Sequence, residues 1–222
     1  MNKVEIVAKL REYNKEVNHI FIDELIKDLN KDIQNEGFIK STGDKGKLNA
    51  IKRVIGNKKN SHRPALQTYT VFNGKSVFTD SYQAYMLNDT YLPNYEISYF
   101  NEENKKEVEE VAKQHGIKIS GYTYPNVKVF IDRCYDTSIE YKTMGVNLKD
   151  ILLEIKTNPE KIVTFKDEEG KEVITISTEL LKNAIDILKL KDDFTFKYTG
   201  MYEPAYIENN GEIALLLPIR KN

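Results

Sequence analysis

The sequence predicts an α+β fold of antiparallel sheets with helices on one face, extended at its N-terminal side by helices. Three observations carry this. Strand-like runs are joined by hairpin turns rather than by crossover helices. A helix-then-strands order occurs twice along the chain. The first 45 residues show helical periodicity and no strand pattern.

In the first segment Ile22, Leu25, Ile26, Leu29 and Ile33 recur at three- and four-residue spacings, on one helix face. Val4, Val7 and Leu10 suggest a shorter helix before them. Gly37 and Ser41-Thr42-Gly43-Asp44 punctuate the chain. From Lys47 a helix carries Leu48, Ile51, Val54 and Ile55 on its apolar side. The runs 66–72 and 75–78 flank Asn73-Gly74, and a type I′ turn needs positive φ at both central residues. Residues 101–115 form a polar helix with an apolar stripe at Val108, Val111 and Ala112, stopped by Gly116. Ile117-Lys118-Ile119 is a short strand candidate, and 121–126 reads as a connection. Asn147 caps a helix that turns Leu148, Ile151, Leu152 and Ile155 inward. Runs 162–165 and 172–176 form a second hairpin around 167–170. Ser177 or Thr178 caps a helix bearing Leu181, Ile185 and Leu188. Strands follow at 194–198, 205–207 and 213–217, the last entered through Asn209-Asn210-Gly211.

Composition narrows the function. Across 222 residues, 33 Lys and Arg face 34 Asp and Glu, so net charge announces no nucleic-acid partner. The single cysteine, Cys134, supports neither an internal disulfide nor a multi-cysteine zinc site. Met1-Asn2-Lys3-Val4-Glu5 breaks at once into charge, and no apolar run approaches the ~20 residues of a membrane span, so a cytoplasmic protein without a membrane partner is expected. No phosphate-binding glycine loop, His-x-x-x-His pair or nucleophile elbow is present. His19, His62 and His115 fall in separate elements. Asp80-Ser81-Tyr82 has no candidate base beside it. The expectation is a non-enzyme without cofactor or metal.

Two stretches depart from this background. Lys47, Lys52, Arg53, Lys58 and Lys59 put five positive charges in thirteen residues with no acid among them. Such a face attracts a DNA backbone without reading sequence, although a solvated basic helix face has the same pattern. The other is Ala214-Leu215-Leu216-Leu217-Pro218-Ile219-Arg220, where Pro218 and Ile219 lie past the last strand and suit an exposed apolar groove.

At these places the chain resembles the bacterial DNA sliding clamp, the β subunit of DNA polymerase III. Arg63-Pro64-Ala65-Leu66, leading through a hairpin to Val77-Phe78-Thr79-Asp80-Ser81-Tyr82-Gln83-Ala84, is similar to the Arg-Pro-x-Leu strand and the Ala-Thr-Asp-Gly-His-Arg-Leu segment of the family's second domain. Tyr124-Pro125-Asn126 resembles the aromatic-Pro-Asp connection before the third domain. The helix at 178–188, Pro204 and Leu217-Pro218-Ile219-Arg220 resemble that domain's last helix, its proline and its Met-Pro-Met-Arg ending. The resemblance covers 46–222.

It implies a shortened clamp-like domain at 46–133 and a second at 134–222, and it leaves the helical extension at 1–45 unaccounted for. It also implies a peptide-binding groove lined by Leu66, Thr79, Tyr82, Leu215, Leu216, Leu217, Pro218, Ile219 and Arg220. Lys47, Lys52, Arg53, Lys58 and Lys59, joined by Lys182 and Lys189, would face double-stranded DNA. The implied function is a processivity factor, or a relative of one, that binds DNA polymerase or other replication proteins through short linear peptides and assembles as a homo-oligomer. The alternative is a monomeric adaptor or inhibitor acting on host replication proteins without encircling DNA. Ser81-Tyr82-Gln83 replace the family's Gly-His-Arg, and nothing matches its first domain; a phage or mobile element suits so short a version.

Overall fold

A computed structural model describes residues 2–17, 19–42 and 45–220. Helices α1 (Lys3–Val17) and α2 (Ile20–Thr42) form a hairpin with Val7 and Ile26 buried. Lys3 Nζ bridges to Asp32 at 3.3 Å and Glu36 at 2.6 Å. Asn14 ties the two helices, donating to Asp23 at 2.7 Å and accepting from the His19 amide at 2.7 Å. α2 runs through Gly37 instead of stopping there. One helical glycine costs about 1 kcal/mol, too little to end a helix with good formers on both sides.

The rest of the chain builds around one sheet. Its elements are α3 (Lys45–Ile55), β1 (Thr70–Phe72), β2 (Lys75–Thr79), β3 (Gln83–Leu87), α4 (Glu102–His115), α5 (Lys128–Tyr135), β4 (Lys142–Val146), α6 (Leu148–Thr157), β5 (Ile162–Lys166), β6 (Glu172–Ser177), α7 (Thr178–Leu188), β7 (Phe194–Tyr198), β8 (Ala205–Asn209) and β9 (Glu212–Leu216). Seven strands lie in the order β1-β2-β3-β9-β8-β7-β4, each antiparallel to its neighbours, and β5-β6 form a separate pair. The fold is α+β with helices preceding it, as the sequence predicts. The boundary expected at 133/134 falls inside α5, and strands from both sides of it share the large sheet.

Strand alternation divides the apolar residues between two layers. Phe78, Tyr85, Leu87, Ala214 and Leu216 face a core filled by Ile51, Val54 and Ile55 of α3, Leu181 and Ile185 of α7, and Phe165 and Ile176 of β5-β6. Val77, Met86, Tyr206, Ile213 and Leu215 face the other way, where Tyr124, Val127 and Ile131 cover them. One short helix, α5, therefore lies opposite the others.

The hairpin at Asn73-Gly74 has φ of 53° and 73°, as expected. Asn101 and Asn104 cap α4 as a capping box, Gly116 ends it in the left-handed region, and the caps at Asn147 and Ser177 are in place. Three expectations change. Residues 64–67 form a 3-10 turn rather than strand. Ile119 makes an isolated bridge to Ile97 and no strand. Leu152 is exposed, because Leu148 and Ile151 already fill the inward face of α6.

Lys47 is also not where the resemblance put it. It is 4% exposed, and its ammonium donates to both carboxylate oxygens of Glu212 at 2.7 and 2.9 Å, with Asp89 at 3.8 Å. The pair fastens the first turn of α3 to the start of β9. Removing one partner strands a buried charge, so Lys47→Met is expected to lower the unfolding free energy by about 3 kcal/mol, whereas Lys47→Met with Glu212→Leu recovers most of the loss. Urea unfolding of both variants checks this. Among the described residues no helix is long and apolar enough to cross a membrane.

Candidate functional site: the furrow between a turn and the tail after β9

The turn between β2 and β3 is built around Asp80, which is buried. Its Oδ1 accepts from the amides of Tyr82 at 2.9 Å and Gln83 at 3.0 Å, and its Oδ2 accepts from Gln83 Nε2 at 2.7 Å. Ser81 sits at φ 81°, a region a serine rarely adopts. Its neighbours hold it there. The Ser81 amide donates to Thr79 Oγ1 at 3.0 Å and Arg63 donates to Ser81 Oγ at 3.0 Å. The Thr79 hydroxyl donates to the Gln83 carbonyl at 2.7 Å, and the Thr79 amide donates to the Tyr124 hydroxyl at 2.9 Å. Burial raises the Tyr124 hydroxyl pKa, so it stays protonated. The product is a rigid turn with an aromatic ring facing outward: Tyr82 is 65% exposed.

The tail comes to this turn because β9 pairs with β3, Gln83 opposite Leu216. The pairing extends one step further, the Leu217 amide donating to the Tyr82 carbonyl at 2.9 Å. Pro218 has no amide to donate. Ile219 then turns its amide to the Thr175 carbonyl of β6 at 2.8 Å. The tail thus spans from the large sheet to the β5-β6 pair.

A furrow of about 400 Å³ opens beside it. Tyr82, Leu217, Pro218, Ile219 and Arg220 line it, together with Asp80, Asn57, Lys59, Asn60, Ser177, Glu179 and Leu180. That volume lies within the range of small-ligand pockets. Two stretches 135 residues apart, from Tyr82 to Leu217, share one cavity.

The other residues expected in the groove do different work. Leu216 points into the main core and Leu66 is buried. Leu215, on the opposite strand face, packs in the α5 layer. Thr79 supports the turn from beneath. Alternation explains Leu215 and Leu216, since consecutive strand residues cannot both face one furrow. Asn57, Asn60, Ser177, Glu179 and Leu180 border the furrow without being expected there. Only Ser177 carried a signal, as a cap candidate, and capping says nothing about what else a residue borders.

The basic residues meet different surroundings. Lys47 is buried. Arg53 donates from Nε to Asn183 Oδ1 at 2.9 Å and from Nη2 to Asp186 at 2.6 Å, and Lys182 reaches the same Asp186 carboxylate at 3.2 Å. Asn183 continues to Gln83 Oε1 at 3.4 Å, which also accepts from the Tyr85 hydroxyl at 2.7 Å. Arg53 therefore braces the chain of contacts that ends at Asp80. Burial lowers the Lys52 pKa, with Lys31 of α2 and Lys45 adding repulsion. Lys58 and Lys59 lie on a 3-10 turn, where Lys59 borders the furrow. Lys189, half-buried, caps the end of α7 at φ 54°. Among the described residues no group of three His, Cys, Asp or Glu is arranged to hold a metal ion.

No family model matches the chain, and no curated protein does. Solved structures similar to it are DNA polymerase sliding clamps. That of Bacillus subtilis is 15% identical over 79% of this chain and 62% of its own, with a TM-score of 0.49. The DNA polymerase III β subunit of Thermotoga maritima is 12% identical over 79% and 63%, at 0.48. The Bartonella birtlesii clamp, solved bound to griselimycin, is 14% identical over 78% and 65%, at 0.47. The chain spans less than two thirds of the length of each of these.

Two substitutions separate what builds the turn from what it displays. Asp80→Ala leaves three N–H donors without their acceptor and is expected to cost about 2 kcal/mol of stability. Tyr82→Ala, at an exposed position, is expected to stay within about 0.5 kcal/mol of the parent. Thermal or chemical unfolding measures both.

Proposed function

We propose that this chain is a sliding-clamp relative that docks short linear peptides of replication proteins in the furrow between the 80–82 turn and the 217–220 tail. The observation that carries the reading is the meeting of Tyr82 with Leu217, Pro218 and Ile219 around one furrow. These are the two places where the sequence resembles the clamp family's peptide groove. The surface also suits such a ligand. Leu180, Pro218 and Ile219 offer apolar walls, and fully burying one large aliphatic or aromatic side chain yields roughly 1.5–3 kcal/mol. Lys59, Arg220 and Glu179 supply charge that sets the direction of a bound peptide. A few such anchors carry most of the binding energy of an interface.

The direct test is fluorescence anisotropy with a labelled clamp-binding peptide from a replicative polymerase. Saturable binding is expected. Leu217→Asp with Ile219→Asp should weaken it at least tenfold, about 1.4 kcal/mol. Tyr82→Ala, which leaves the fold intact, should weaken it as well. Unchanged affinity in both variants overturns the proposal.

A specific observation favours an adaptor that does not encircle DNA over a closed ring. A DNA channel calls for unpaired positive charge, yet Lys47 is buried against Glu212, and Arg53 and Lys182 converge on Asp186. On this reading, sedimentation mass at low salt stays unchanged when nicked circular DNA is added. Co-sedimentation with circular but not linear DNA would establish the ring instead.

A further inference from the structure

The hairpin of α1 and α2 has a core too small for its length. Among the described residues its buried apolar side chains are Val7 and Ile26, while Ile6, Leu10, Ile22, Leu29 and Ile33 are half-buried. Tyr13, Phe21 and Leu25 are 57%, 66% and 39% exposed. All of them belong to residues 1–45, outside the stretch 46–222 that carries the clamp resemblance.

The uncovered side chains fall on one side of the hairpin. Each stands one position before a residue turned inward: Ile6 before Val7, Tyr13 before Asn14, Phe21 before Ile22, Leu25 before Ile26. One position is about 100° of helix rotation. The rotation has the same sense in both helices, and because they run antiparallel it brings both sets to the same face. The body leaves that face open. α3 lies toward Lys31, which repels Lys52 and stands about 200° round α2 from Leu29.

We propose that this face binds the same face of a second copy of this chain, the two hairpins packing tip beside tip as a four-helix bundle about a two-fold axis parallel to the helices. Two helices alone leave one side of their apolar stripes in water, and a second hairpin supplies the missing layer. The flanking charges select the second copy and its orientation. Asn14 bonds Asp23, and Lys3 bridges Asp32 and Glu36, so Lys9 of α1 and Asp28 of α2 stand at one height on opposite flanks. Both are exposed, and among the described residues neither has a salt-bridge partner. With the axis parallel to the helices, α1 of each copy lies over α2 of the other, and Lys9 meets Asp28 of the second copy twice. The other two-fold arrangement sets α1 on α1 and α2 on α2, like flank beside like, and draws Tyr13, Phe21 and Leu25 of the two copies apart. A contact between like faces closes at two copies.

The peptide furrow plays no part in this inference: a dimer that binds no peptide leaves it intact. Its test is sedimentation velocity of the full chain at low salt over a concentration series. A monomer–dimer equilibrium is expected. Phe21→Glu with Leu25→Glu, both at exposed positions, raises the dissociation constant about tenfold or more and leaves the circular dichroism spectrum unchanged. Lys9→Glu and Asp28→Lys each raise it about threefold or more, since each reversal acts twice across the axis. Mixing these two variants in equal amounts restores the dimer, because in the mixed pair every reversed charge faces its opposite. A monomer at high micromolar concentration, assembly unaffected by the Phe21 and Leu25 changes, or a mixture no tighter than its two components overturns the proposal.

Discussion

The pairing of β9 with β3 is the contact on which the rest of the molecule depends. It joins β1-β2-β3 to β8-β7-β4, and both ends of its ladder are put to use. At one end the register runs on from Gln83–Leu216 to the Leu217–Tyr82 hydrogen bond, which brings the tail against the turn. At the other, Glu212 begins β9 and accepts from both Lys47 and the Asn88 amide. A slip of one residue would exchange Leu215 and Leu216 between the two apolar layers. It would also carry Pro218 out of line with Tyr82. The furrow and the core therefore share one register.

The charged residues obey a different constraint. A basic run in a sequence is ambiguous, because the partners that neutralise it lie far away. Lys47 finds Glu212 after 165 residues, and Arg53 finds Asp186 after 133. The Arg53 side chain is 42% exposed, and while Nη2 bonds Asp186, the Nε bond leads inward through Asn183 and Gln83 to Asp80. In that chain Gln83 accepts from Tyr85, whose hydroxyl pKa is raised by burial first and by the Asp80 charge second. A residue that looks like a DNA contact in the sequence thus also supports the turn.

This difference between local and distant information explains what the sequence revealed. The Asn73-Gly74 turn and the caps at Asn147 and Ser177 were legible because each is decided within a few residues. β3 was not: Gln83 to Leu87 are buried at every position, so the alternation that marks a half-exposed strand is absent. α5 starts at Val127 without a side-chain cap, and β4 contains a glycine and little apolar pattern. In the furrow, Leu217, Pro218 and Ile219 stood out as an apolar run past a strand, and Tyr82 entered through the resemblance. Leu180 and Glu179 had no such mark, since the tail is brought toward α7 by the Ile219–Thr175 hydrogen bond to β6, which belongs to no ladder.

Sheet order also sets what the furrow depends on. β8 and β7 stand between β9 and β4, so the far edge of the sheet does not border the Tyr82 furrow. The opposite wall belongs to another sheet: Ser177 closes β6, and Glu179 and Leu180 follow at the start of α7. The Ile219–Thr175 hydrogen bond fixes the tail against that wall, so the shape of the furrow rests on the placing of the β5-β6 pair as well as on the β3–β9 register.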